Sequence, residues 1–216
     1  IVKAASSLSY EEVATEEAAL LVENALIREL RPILNVEGAF TFLYPAIGVA
    51  KAEKHLLLCF TTQPEEYVAH GFGWYGTFRS RLRAKLAFDG LVELLGLVGH
   101  PEKRAALPAH VSLRGSRFTG VRQLPAGLAY GLPRFLAGED GAFLGELARA
   151  LLDRPRARRD AGDVQEKLVL LKHFFEQDAV RLREALEKSG VPGTFVSRTE
   201  RDALFIRVRP DVDRGD

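Results

Sequence analysis

The chain of 216 residues contains no methionine and one cysteine, Cys59. A single thiol excludes an intramolecular disulfide and any cluster built from several cysteines. Cys59 lies in the apolar run HLLLCF at 55–60 and is expected to be a buried strand residue. No apolar run reaches the roughly 18 residues needed to span a membrane, and no signal peptide is visible. The expected setting is therefore soluble and cytoplasmic, without a membrane partner. Net charge is only +1, so bulk charge does not hold this chain to nucleic acid and any basic surface must be local. His55, His70, His100, His110 and His173 show no metal-ligand spacing. P-loop, dinucleotide fingerprint and nucleophile elbow are all missing. A chain that begins at Ile1 and holds no methionine is expected to lack part of its N-terminus.

What is present is enough apolar material, 47% of residues, for one sizeable core or two small domains. The pattern is α+β. LSYEEVA at 8–14 reads as a short strand entering a helix. Thr15 is a good N-cap, and Glu16 and Glu17 suit the first turn, where the helix dipole favours acids. Ala19, Val22, Glu23, Leu26, Ile27 and Leu30 form one helical stripe, which Pro32 ends. Strands are expected at 40–50 and 55–62, a Gly-aromatic turn at 71–76, and a helix at 79–97. Residues 99–134 are rich in Gly and Pro and read as a loop-dominated connector with short elements. Helices are expected at 139–152 and 163–188, joined by the charged link RPRARRD at 154–160. The second of these helices has a turn expected around Phe174–Gln177. ALFIRVR at 203–209 reads as a strand before a frayed, charged end.

Glu23 is anomalous within the first helix. It sits among apolar positions, where a carboxylate is costly to desolvate. Two readings stay open on the residues alone: a head group in water at the rim of the apolar face, or a functional carboxylate.

LLVENALIRELRPILNV at 20–36 resembles the end of the GIY-YIG nuclease domain in the UvrC family of excinucleases and its shorter relatives in bacterial nucleotide excision repair. That family carries a helix of the form E-A-L-L-L-E-x-x-L-I-K-x-x-x-P-x-x-N-V, and Arg28 takes the Lys position. TFLYPAI at 41–47 resembles the family's S-Y-P-Y strand, and GFGWYGTFRSRLRAKLAFDGLVELLGL at 71–97 its F-G-P-Y segment and following helix. FLAGEDGAFLGELARAL at 135–151 resembles its F-L-x-G helix, and HFFEQDAVRLREALE at 173–187 its UVR motif, with Asp178 where alanine is usual. The pieces run in the family's order over about 8–187.

The resemblance implies a phosphodiester-cleaving endonuclease using one divalent metal, Mg²⁺ or Mn²⁺, with Glu23 as the metal ligand and Asn35 in a supporting hydrogen-bonding role. The GIY and YIG strands and the arginine helix belong upstream of residue 8. The chain as it stands therefore lacks the water-activating tyrosine and the charge-stabilising arginine, and no nuclease activity is expected of it alone. The family's cysteine ligands are absent, so no iron–sulfur cluster is expected. The implied organisation is the C-terminal part of a GIY-YIG domain at 1–50, a middle region with a basic helix at 51–134, a helical region with the UVR-like segment at 135–190, and a strand with a charged tail at 191–216. A UvrB-like protein is the partner implied for 163–188, whose apolar stripe of Leu168, Leu171, Phe175, Leu182 and Leu186 could equally pack on its own domain. The alternative function is a non-catalytic module that binds DNA or a repair partner.

Charge is uneven in a way that bears on DNA. Residues 1–36 carry a net of −3, whereas residues 79–122 carry +6. Arg79, Arg81, Arg83 and Lys85 are the densest cluster, and their spacing puts them on more than one helical face. With Arg28 and Arg31 they are the candidate DNA contacts, against the alternative of an ordinary solvated helix start. Trp74 and Tyr75 read as stacking partners for bases or as core residues. Arg154, Arg156, Arg158 and Arg159 serve at least to solubilise a linker.

Overall fold

A computed structural model of the chain describes residues 7–30, 44–52, 55–103 and 116–208. Among them the architecture is α+β: an antiparallel five-stranded sheet with helices packed on it. Strands β1 (Ala46–Ala52) and β2 (His55–Thr61) pair in register from Ala46–Thr61 to Ala52–His55. β3 (Gly73–Gly76) adds to β1, β5 (Arg117–Arg122) adds to β2, and the short β4 (His100–Pro101) adds to β5.

The period of two decides the faces. Ile47, Val49, Leu58, Phe60 and Val121 join the main hydrophobic cluster beneath α2 (Arg81–Val98), where Phe60 and Phe88 lie 5.4 Å apart between ring centroids. The intervening positions Ala46, Gly48 and Ala50 are small. On that side Trp74 lies directly over Gly48, where a Cβ would meet its ring at 2.7 Å. Phe72 and Tyr67 flank the indole, and Phe118 stands beside both. Trp74 is thus a packing residue, and Tyr75 also packs against the main cluster.

Ser80 caps α2 by accepting the Arg83 amide at 3.2 Å. Its buried stripe of Ala84, Ala87, Phe88, Leu91, Leu94, Leu95 and Val98 meets the sheet and a layer of helices. These are α3 (Ala126–Leu136), α4 (Ala142–Leu152), the short α5 (Pro155–Arg159), α6 (Ala161–Phe174) and α7 (Val180–Lys188). A π-turn, Phe175–Ala179, links α6 to α7 without breaking the helical path. α8 (Arg198–Arg207) packs against α7 and against α1 (Glu16–Leu30). One hydrophobic cluster runs from Ile47 to Leu204. The divisions at 50/51 and 134/135 fall inside β1 and α3. No described helix is long and apolar enough to cross a membrane.

Several expectations need correction. Residues 8–13 form no strand; Leu8 is 95% and Tyr10 84% exposed, and among the described residues none pairs with them in a ladder. The 71–76 turn is instead a left-handed Gly71 leading into β3. The connector at 99–134 contains β5 and α3, while residues 104–115 lie outside the described set. Gly and Pro suggested a loop at 126–136, yet Leu128, Leu132, Phe135 and Leu136 make a buried helical stripe. Gly131 there allows close approach to Phe143 of α4, at 3.5 Å from a built Cβ. The 154–160 link contains α5. Of the strand expected at 203–209, residues 203–207 are the end of α8, because Ser197 and Glu200 nucleate a helix upstream: the serine hydroxyl accepts the Glu200 amide and donates to its carboxylate at 2.6 Å. Residues 209–216 lie outside the described set.

Candidate functional site

The rotation of α1 is fixed at two points. Thr15 Oγ1 accepts the Ala18 amide at 3.1 Å, and Asn24 Nδ2 donates to Asp202 Oδ2 of α8 at 3.2 Å. A helix turns about 100° per residue, so Glu23 is turned to the side of that contact. It is exposed and lines a groove of about 370 Å³ with Glu11, Val22, Leu26 and Ile27. The two carboxylates are hard oxygen donors of the kind that hold Mg²⁺ or Mn²⁺ beside water and phosphate oxygens, in a groove whose other lining side chains are apolar. Among the described residues no three His, Cys, Asp or Glu side chains converge as a metal site. Asn35 and Arg31 lie outside the described residues, as does the side chain of Arg28.

The candidate DNA contacts at the start of α2 separate. Arg79 and Arg83 open onto a cleft of about 540 Å³ between the α2 N-terminus, α7 and α8. Arg81 is exposed and does not line it. Lys85 pairs with Asp89 at 3.0 Å, and Arg117 pairs with the same carboxylate. From distant parts of the chain the cleft gains Arg181, Lys188 and Arg201. Its acids are Asp178 and Glu184.

Two of the five cations are built in. Asp178, in the π-turn, has 1% of its side chain exposed and pairs with Arg83 Nε, with Arg83 Nη2 at 3.4 Å from its other oxygen. Arg201 is 3% exposed; its Nε donates to the Thr77 carbonyl at 3.0 Å and its Nη1 to Asp202 at 3.2 Å. The rings of Tyr44 and Phe205 sandwich its guanidinium at 4.6 and 4.4 Å. Burial pushes the Arg201 guanidinium below its ordinary range, and Arg79 nearby pushes the same way. Tyr44 is pushed up to about 12 by burial and then by the Asp202 carboxylate, to which its hydroxyl donates at 3.0 Å. Asp202 therefore ties α1, Tyr44 and Arg201 together.

The other three cations are different. Arg79, Arg181 and Lys188 are exposed, and none forms an ion pair with a described residue. They line the same cleft, which lies beside the start of α2. The arrangement can bind phosphate oxygens.

The stripe of the 163–188 segment is spent on the chain's own core: Leu171, Leu182 and Leu186 are buried, and Leu168 and Phe175 pack against the same cluster. Sequence reasoning did not reach Arg181, Lys188 and Arg201 as site residues. Arg181 and Lys188 lie seven apart, which puts them on one helical face. Arg201 gave no local signal. Comparison with protein-family models, with curated proteins and with solved structures finds no match for the chain.

Proposed function

We propose that this chain engages DNA as part of a UvrC-like nucleotide excision repair endonuclease. The cleft between α2, α7 and α8 holds the phosphodiester backbone, and Glu23 with Glu11 holds one divalent metal in the α1 groove. The observation that carries the reading is the meeting of Arg79, Arg181 and Lys188, none in an ion pair with a described residue, at one cleft. Cations left without acidic partners at one cleft favour a polyanion.

The endonuclease half rests on the ordered resemblance over 8–187. When bound, Mg²⁺ or Mn²⁺ would polarise a phosphate oxygen and stabilise the leaving oxyanion. The chain's own residues orient the strand: the cleft cations grip backbone phosphates, and Asp202 couples Arg201 of the cleft to Asn24, the neighbour of Glu23.

The test is Mg²⁺-dependent incision of damaged duplex DNA by the full-length protein. Glu23→Ala should abolish cutting and leave DNA binding and thermal stability nearly unchanged. Normal cutting by that variant would remove Glu23 from the metal site. Tight binding by the unaltered protein without incision under any metal would favour the non-catalytic DNA-binding module.

A further inference from the structure

The basic cleft has an apolar part as well as its cations. Arg79, Arg181 and Lys188 are its exposed cations, while half-buried Phe205 and Val208 and buried Leu182 are part of its apolar lining. Phe205 is partly buried and already stacks on Arg201 at 4.4 Å, so one guanidinium and one ring belong to the same wall. Gln177 in the π-turn adds an amide with both a donor and an acceptor.

A bare phosphate needs only the cations. A duplex backbone, stiff and fully stacked, has no group that reaches an apolar lining. A cleft of about 540 Å³ lies within the range of small-molecule sites, and its lining is mixed, with charged and polar side chains beside a smaller apolar part that includes Phe205 and Val208. The unit with one anionic end and one flat, largely apolar face edged by donors and acceptors is a nucleotide.

We propose that the cleft takes a single nucleotide of an unpaired strand, its phosphate against Arg79, Arg181 and Lys188 and its base against Phe205 and Val208. This rests on the DNA reading above and narrows it. Arg83 and Arg201 are the positioning cations: each is locked by its own carboxylate, so neither collapses onto the incoming phosphate. Gln177 is placed to read the edge of the base. Stacking tolerates any base, so the site discriminates paired from unpaired strands more than it discriminates sequence.

The test is calorimetric titration of the chain with thymidine 5′-monophosphate, thymidine and inorganic phosphate, followed by displacement with single-stranded oligothymidylate and with a blunt duplex. The nucleotide should bind about tenfold more tightly than either thymidine or phosphate, since base stacking and charge each contribute. Oligothymidylate should displace it, and the duplex should not. The exposed pair Arg181→Glu and Lys188→Glu should weaken nucleotide binding by about tenfold or more without altering the unfolding midpoint. Phosphate binding as tight as the nucleotide would make this an anion site only and overturn the proposal. Nucleotide binding that oligothymidylate fails to displace would mean a free nucleotide is the ligand, which overturns the strand assignment. Duplex binding without any nucleotide binding would overturn the proposal and leave the DNA reading standing. Failure to bind any DNA would overturn both.

Discussion

Asp178 and Arg83 are 95 residues apart in sequence and unequal in burial: the carboxylate is 1% exposed and the guanidinium 32%. That asymmetry makes a prediction. Arg83→Ala strands a buried charge and should cost about 3–5 kcal/mol. Asp178→Ala leaves a guanidinium that can swing into water and should cost only about 1–3 kcal/mol. Urea unfolding of the two variants measures the difference, and equal losses would show that Asp178 is better solvated than its burial indicates. In the sequence Asp178 is visible only as a misfit, an acid where the resembled motif has alanine. Arg83 reads there as a DNA contact, because sequence shows charge but not which group neutralises it.

Tyr44 gives a pH test at the same scale. Its folded value is raised from 10.0 to about 12. A raised value means the folded state keeps a proton that the unfolded state gives up. Stability from this group is therefore complete below pH 10 and is lost between about pH 10 and 12, by linkage. Tyr44→Phe should flatten the loss of stability across that window, at the cost of the hydrogen bond to Asp202. An unchanged alkaline profile would place the loss elsewhere.

At the scale of elements, periodicity was a sound guide wherever burial was one-sided. The long α2 follows from it, whereas Ala19, Glu23, Leu26 and Leu30 of the α1 stripe are exposed and β2 is buried on both faces. Short segments with mixed signals were not legible by composition. Gly127, Gly131 and Pro133 made α3 look like a loop, although its four buried apolar residues repeat at helical spacing. Alternating residues in ALFIRVR suggested a strand, but the Ser197–Glu200 start upstream commits the chain to a helix first. LSYEEVA had strand-like residues and, among the described residues, no strand to pair with, and a lone strand leaves its amides without partners.

The corner between α3 and α4 tests this packing. Gly138 has φ +74°, and a Cβ there would meet the Ala179 carbonyl of the π-turn at 2.5 Å. Gly138→Ala should destabilise the protein by more than about 1 kcal/mol, because backbone on the facing side cannot yield as a side chain would. Gly145→Ala, on the same helix layer with open space around it, is the control and should be neutral or slightly stabilising. A neutral Gly138→Ala in a thermal melt would mean that the corner and the π-turn are not pressed together.

At the scale of the whole molecule the site is a product of the fold. Thr77 and Arg201, 124 residues apart, meet through one hydrogen bond, and the cleft exists only because α8 returns to the start of α2. Net charge of +1 said nothing of this, since the cations concentrate where three chain segments converge. Two of the cleft's five cations were legible: Arg79 and Arg83 stood out as a basic cluster, while Arg181, Lys188 and Arg201 needed the third dimension. Glu23 was legible as an anomaly of its helix, and the structure places it exposed in a groove beside Glu11.

The claim that the basic cleft binds DNA phosphates is tested most directly by the salt dependence of binding. Fluorescence anisotropy with a labelled oligonucleotide should give a log–log slope that becomes shallower by about 1 for each of Arg79→Ala, Arg181→Ala and Lys188→Ala, with Arg158→Ala unchanged. Slopes that stay the same in all three cleft variants, or that shift equally for Arg158→Ala, would contradict it.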